Sequence, residues 1–229
     1  MPTIVTPPDP QISVDKFIRA MKTPHKLLSL HPRSVGHPGN SAALSPAIVL
    51  TSISAFEGFA EDFTAIMLAH AGAGFVEIAQ AVGKWNNPAL PEFAGRAKQD
   101  YPAAAAAIDA PTSISVFEFP HVGRPGSVQR AHAWSRILTE SRGWMQVRHA
   151  LTHGLTTGWR SERWPPPLRT TDPPASSVLR QMSATEHSLG LYGAINCARI
   201  YSLGARKIAE GVAGVSGHSL DWSALPEFE

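Results

Sequence analysis

The chain has 229 residues, 43% of them hydrophobic and 17% charged, enough for a sizeable apolar core and too apolar for a disordered polymer. Lysine plus arginine number 20 against 18 for aspartate plus glutamate, a balance that permits nucleic-acid binding without arguing for it. A single cysteine, Cys197, excludes an intramolecular disulfide and any cysteine-based zinc site.

The opening, MPTIVTPPDP, has four prolines, reads as a flexible lead-in and lacks the basic and apolar regions of a secretion signal. A cytoplasmic location is therefore the expectation. From Ile12 to Leu30 a short helical pattern carries Val14, Phe17, Ile18 and Met21 on one side, with Pro24 expected to interrupt it. The following HPRSVGHPGNS is loop chemistry. Ser45-Pro46 is a good helix start, because the serine oxygen accepts from an unpaired amide and proline suits the first helical position. Val49, Ile53, Phe56, Ala60, Phe63 and Met67 then recur at spacings of four and three, the stripe of a helix packed on one face. Gly72 and Gly74 should end it. Glu57, Glu61 and Asp62 make this stretch a core helix and not a membrane span.

Residues 75 to 128 are less regular. FVEIAQAVGKW predicts a helix stopped at Asn86-Asn87-Pro88, the next stretch another turn or two, and SISVFEF an extended segment. A long helix is expected from about Ser127 to Thr152, with Trp134, Ile137, Leu138, Trp144, Met145 and Leu151 in one band, stopped by a left-handed Gly154. A loop rich in proline and arginine follows. A last helix is expected from about Ser176 to Gly211, with Leu179, Met182, Leu189, Leu191, Ile195 and Ile208 facing the core, before an irregular tail. The expected fold class is all-α: a bundle of four core helices with elaborations. The expected division is 1–44 as an N-terminal extension, 45–213 as the helical domain with 75–128 as an insertion, and 214–229 as a tail.

Near the end of the third long helix stands RHALTHG, Arg148 to Gly154. Helical projection aims Arg148 into the apolar stripe, and an unpaired guanidinium is costly to bury. Either it forms an internal pair, with Glu57 or Glu61, or snorkels from the helix end, or the face opens onto an anion-binding cleft.

Arginine, four residues and histidine at the end of a penultimate core helix resembles the Arg-x4–6-His signature of the HEPN (higher eukaryotes and prokaryotes nucleotide-binding) ribonucleases. The segment SISAFEGFAEDF, Ser52 to Phe63, is similar to the second helix of the RiboL-PSP and MAE-type HEPN groups. The resemblance covers roughly Ser45 to Ala213. It implies an up-and-down bundle whose catalytic arginine and histidine correspond to Arg148 and His153, with His149 supporting and Glu57 as a further counterpart. It implies metal-independent RNA cleavage by the ribose 2′-hydroxyl, with no cofactor and a homodimer sharing one cleft. Toxin or phage-defence roles and a regulating antitoxin are typical of the family. The residue types suit the chemistry: histidine exchanges protons near neutral pH and arginine matches phosphate oxygens. Five residues on a straight helix turn through about 140°, so Arg148 and His153 cannot share a face unless the helix ends between them or a second chain completes the site.

His149 and His153, four apart, have the spacing of two metal ligands, but Ala150 stands where the zinc-protease pattern needs glutamate and no third ligand is evident, so no metal is expected. His25, His31 and His37 read as surface residues of loop-like sequence. No Walker loop, GxGxxG or GxSxG is present. WRSERWPPPLR interleaves Trp159 and Trp164 with Arg160, Arg163 and Arg169, a composition suited to single-stranded RNA or to a stiff surface loop whose tryptophans pack inward. The alternatives to a nuclease are a non-catalytic HEPN-like domain binding nucleotides, nucleic acid or partners, and a structural helical domain in which Arg148 pairs internally.

Overall fold

In a computed structural model, which describes residues 6–31, 43–85, 87–124 and 126–229, helices α1 (Gln11–Ser29), α2 (Leu44–His70), α3 (Phe75–Val82), α4 (Leu90–Asp100), α5 (Ala105–Asp109), α6 (Trp134–Thr152) and α7 (Leu191–Val215) form most of the architecture. The helices are joined by two small antiparallel sheets, so the chain is mostly helical rather than purely so. Strands β1 (Ser113–Glu118) and β2 (Val128–Ala133) make a ribbon with Ser113 opposite Ala133. Strands β3 (Ser161–Glu162), β4 (Arg180–Gln181) and β5 (His187–Ser188) form a second sheet in the order β3-β5-β4.

The stripe on α2 is the centre of the core. Val49, Ile53, Phe56, Ala60, Phe63 and Met67 are all buried, against α1 on one side and α7 on the other. Burying a large apolar side chain stabilises by roughly 1.5–3 kcal/mol, so this one face is a main source of stability. On α1, Val14, Phe17, Ile18 and Met21 are buried as the spacing requires. Pro24 does not interrupt that helix: it sits inside it, buried, because packing against α2 outweighs one lost backbone hydrogen bond. Trp222 of the irregular tail closes over the same region, its ring 5.8 Å from Phe59 and 6.2 Å from Phe17.

Three helix starts differ from the sequence expectation. Helix α2 begins at Leu44, and Ser45 is buried without capping an amide. The long helix starts at Trp134, not Ser127, because residues 128–133 pair with β1 instead. The last helix starts at Leu191. Ala175–Ser177 form one 3-10 turn, and the residues between it and the helix enter the second sheet. The extended reading of SISVFEF is correct. Gly154 adopts φ 65°, the left-handed stop expected after α6. Most of the HPRSVGHPGNS stretch, His37 included, lies outside the described residues, while His25 lies within α1 and not in a loop.

Between α2 and β1 there is more helix than the sequence implied. Leu90, Phe93, Ala94 and Ala97 of α4 join the core, and α4 packs on both α6 and α7. Helix α3, by contrast, buries no side chain, and Phe75 at its start is 85% exposed. No helix among the described residues is long and apolar enough to cross a membrane.

Candidate functional site

Arg148 sits in the last turns of α6, where that helix crosses α2. Its Nη2 donates to Oε2 of Glu57 at 3.1 Å, and its Nη1 donates to Oδ1 of Asn87 in the loop between α3 and α4. The arginine and glutamate side chains are 21% and 16% exposed, so the pair is largely withdrawn from water. Arg148 Nε and Glu57 Oε1 are buried with no hydrogen-bond partner. Burial raises the pKa of Glu57 above its ordinary 4.5, more than the attraction of Arg148 lowers it. Of the arrangements open to the sequence, then, Arg148 adopts the internal pair, and its carboxylate is Glu57.

His149 and His153 lie one turn apart with ring centroids 4.2 Å from one another, tilted by 47°. Partial burial lowers the pKa of His149 below 6.5, and the neighbouring His153 and Arg148 charges push the same way. His153 is exposed and caps α6, its N–H donating to His149 O at 3.1 Å. The helix therefore continues to Thr152, and the rotation between Arg148 and His153 remains. Among the described residues no hydrogen bond or ring contact joins those two side chains, so one chain brings together Arg148 with Glu57, and His149 with His153.

The loop after α6 is partly ordered by Glu162, whose carboxylate accepts from the hydroxyls of Thr156 and Thr157 and from the backbone of Thr157 and Gly158. Those bonds lower the pKa of Glu162 despite its burial. Arg160 and Arg163 are exposed. Trp159 is 37% exposed, whereas Trp164 packs against the core and its indole N–H donates to His187 O at 3.3 Å. Of the two tryptophans, Trp159 presents a face to solvent and Trp164 holds the loop down.

Sequence reasoning missed two features. The first is Asn87, polar and aperiodic, whose partnership with Arg148 has no local signature. The second is a charged cluster about His132, which is 5% exposed between β1 and α6. Its Nε2 lies 2.8 Å from Glu118 Oε1, and its Nδ1 lies 2.8 Å from Glu140 Oε1 at an angle too bent for a hydrogen bond. Arg136 bridges the same two carboxylates at 3.0 and 2.8 Å. The bond from His132, followed by Arg136, holds the Glu118 carboxyl below its usual range. These groups line a cavity of about 350 Å3 with His187 and Asn196. The spacing of four along His132, Arg136 and Glu140 was the available signal.

The fold and this site define a mostly helical protein with an arginine–glutamate pair joining two core helices and a histidine pair at the end of one of them. Compared with known proteins, the chain matches no family model, no curated protein and no solved structure. Among the described residues no three histidine, cysteine or acidic side chains group as metal ligands.

Proposed function

We propose that the protein is a metal-independent endoribonuclease of HEPN type, with the up-and-down bundle of that family as its helical frame. The observation that carries this reading is the clustering of Arg148 and the His149–His153 pair at the C-terminal end of α6, beside Glu57 of α2. In the proposed reaction the ribose 2′-oxygen bonds to the adjacent phosphorus and the bond to the 5′-oxygen breaks, leaving a 2′,3′-cyclic phosphate and a 5′-hydroxyl. His153 moves the proton, His149 supports it, and Arg148 stabilises the charge that builds on the phosphoryl oxygens. Because Arg148 and His153 diverge within one chain, the reading requires a two-fold dimer in which one protomer's His153 faces its partner's arginine. Arg160, Arg163 and Trp159 are the proposed contacts to single-stranded RNA, through phosphates and base stacking.

A second reading, a non-catalytic helical or binding domain, is favoured by the internal pairing of Arg148 with Glu57 and Asn87. Incubating the protein with total RNA in EDTA, beside His153→Ala, separates the two. Cleavage to cyclic-phosphate ends by the parent and not the variant is the expected result. Intact RNA with both proteins, or a strictly monomeric parent at micromolar concentration that still cleaves, refutes the composite site.

A further inference from the structure

Asn87 occupies the left-handed region, with φ 53°, a conformation that costs most non-glycine residues and that asparagine tolerates better than most. Something must hold it there. Helix α3 before it touches α2 but buries no side chain, so it holds the loop only weakly. The loop is fixed immediately around Asn87 instead. Trp85 packs against the core with its ring 6.0 Å from Phe93. On the other side Ala89 and Leu90 are buried, and Ala89 N–H donates to Glu92 Oε2 at 3.1 Å, anchoring the start of α4. Between these anchors the asparagine side chain reaches Arg148 Nη1.

The two terminal nitrogens of Arg148 are thus engaged from different elements, Nη2 by a carboxylate on α2 and Nη1 by an amide from the loop. Two points fix the plane of a guanidinium, and one alone leaves it free to swing about its stem. The difference in chemistry matters as well. An amide oxygen satisfies a donor without cancelling charge, whereas a second carboxylate would leave the cluster net negative and repel a phosphate.

We propose that Asn87 is a positioning residue for Arg148, holding the guanidinium in one orientation without adding a second negative charge beside it. Its catalytic consequence rests on the nuclease reading above; the locking itself does not. Pre-orientation of this kind lowers a barrier without adding a contact to the reacting atoms.

The test compares the full-length parent with Asn87→Gly and Asn87→Asp. Glycine accepts the backbone conformation freely, so its melting temperature should stay within about 4 °C of the parent. Separate, slowly exchanging Arg148 Nη signals in 15N NMR should be present in the parent and Asn87→Asp and lost in Asn87→Gly. With a fluorescent single-stranded RNA as substrate in EDTA, Asn87→Gly should lose at least about tenfold in kcat with KM within about threefold. Asn87→Asp should melt no lower than the parent, cleave more slowly still, and show a salt slope of RNA binding reduced by about 1. Locked Arg148 signals in Asn87→Gly overturn the proposal, as does parent-like kcat in that variant when the parent cleaves. A parent that cleaves nothing, with Arg148 signals lost in Asn87→Gly, removes the nuclease reading and leaves the positioning role standing.

Discussion

Replacing Arg148 with methionine keeps most of its length and removes its charge, leaving the Glu57 carboxylate withdrawn from water with no cation beside it. Breaking a fully buried pair in this way costs about 3–5 kcal/mol, and an exposed pair about 0–1. With roughly four-fifths of both side chains covered, the expected loss at pH 7 is about 2–3 kcal/mol, or a melting temperature lower by about 5–10 °C for a chain of this size. The pH dependence identifies the cause. Burial already raises the folded-state pKa of Glu57 above 4.5, and Arg148 opposes that rise, so its removal lets the value climb further. A carboxyl raised on folding holds its proton more tightly in the native state. The added loss should therefore be small below pH 4.5, grow as pH rises through the new folded-state value, and level off above it. Glu57→Gln in the Arg148→Met background should restore most of the stability. Urea denaturation of the parent, both single variants and the double variant from pH 4 to 8 measures all of this. Additivity within about 0.5 kcal/mol, or a loss independent of pH, would refute the coupling.

Gly204→Ala should destabilise by about 1–3 kcal/mol despite alanine's better helix propensity, because the new methyl would lie 2.4 Å from Leu90 Cδ1, and Leu90 is fully buried; an unchanged melting temperature contradicts the packing of α4 on α7. His149 should titrate below pH 6.5 by NMR and move upward in His153→Gln, and because its folded-state pKa is depressed its contribution to stability is present above pH 6.5 and lost as pH falls; a midpoint at or above 6.5 would dismiss its burial. His132→Gln should loosen the β1–β2 ribbon from α6, seen as faster amide exchange across residues 113–118 with α1 and α2 unaffected.

The core was the most legible part of the chain, since the stripes on α1 and α2 need only the period of a helix. What was hidden depends on partners distant in sequence. Residues 128–133 looked like the beginning of a helix because nothing local records that β1 lies ready to pair with them. The two-residue strands around 161, 180 and 187 are too short to show any alternation. Pro24 misled because a local rule was applied where tertiary packing decides. At the site, inward-facing Arg148 was readable from helical projection, and an internal pair with Glu57 or Glu61 was one of the arrangements the sequence left open. Asn87 was not, because a single loop residue becomes informative only when the chain has folded back on itself.

Asn196, on the buried face of α7, offers its amide to the backbone of Phe117: Oδ1 accepts from the N–H at 2.7 Å and Nδ2 donates to the carbonyl at 2.8 Å. That is the hydrogen-bond pattern a neighbouring strand would supply, delivered by one side chain. The ribbon's outer margin at β1 is consequently sealed near the strand's C-terminal end by a helix, and a foreign peptide seeking to extend the sheet there would first have to evict α7.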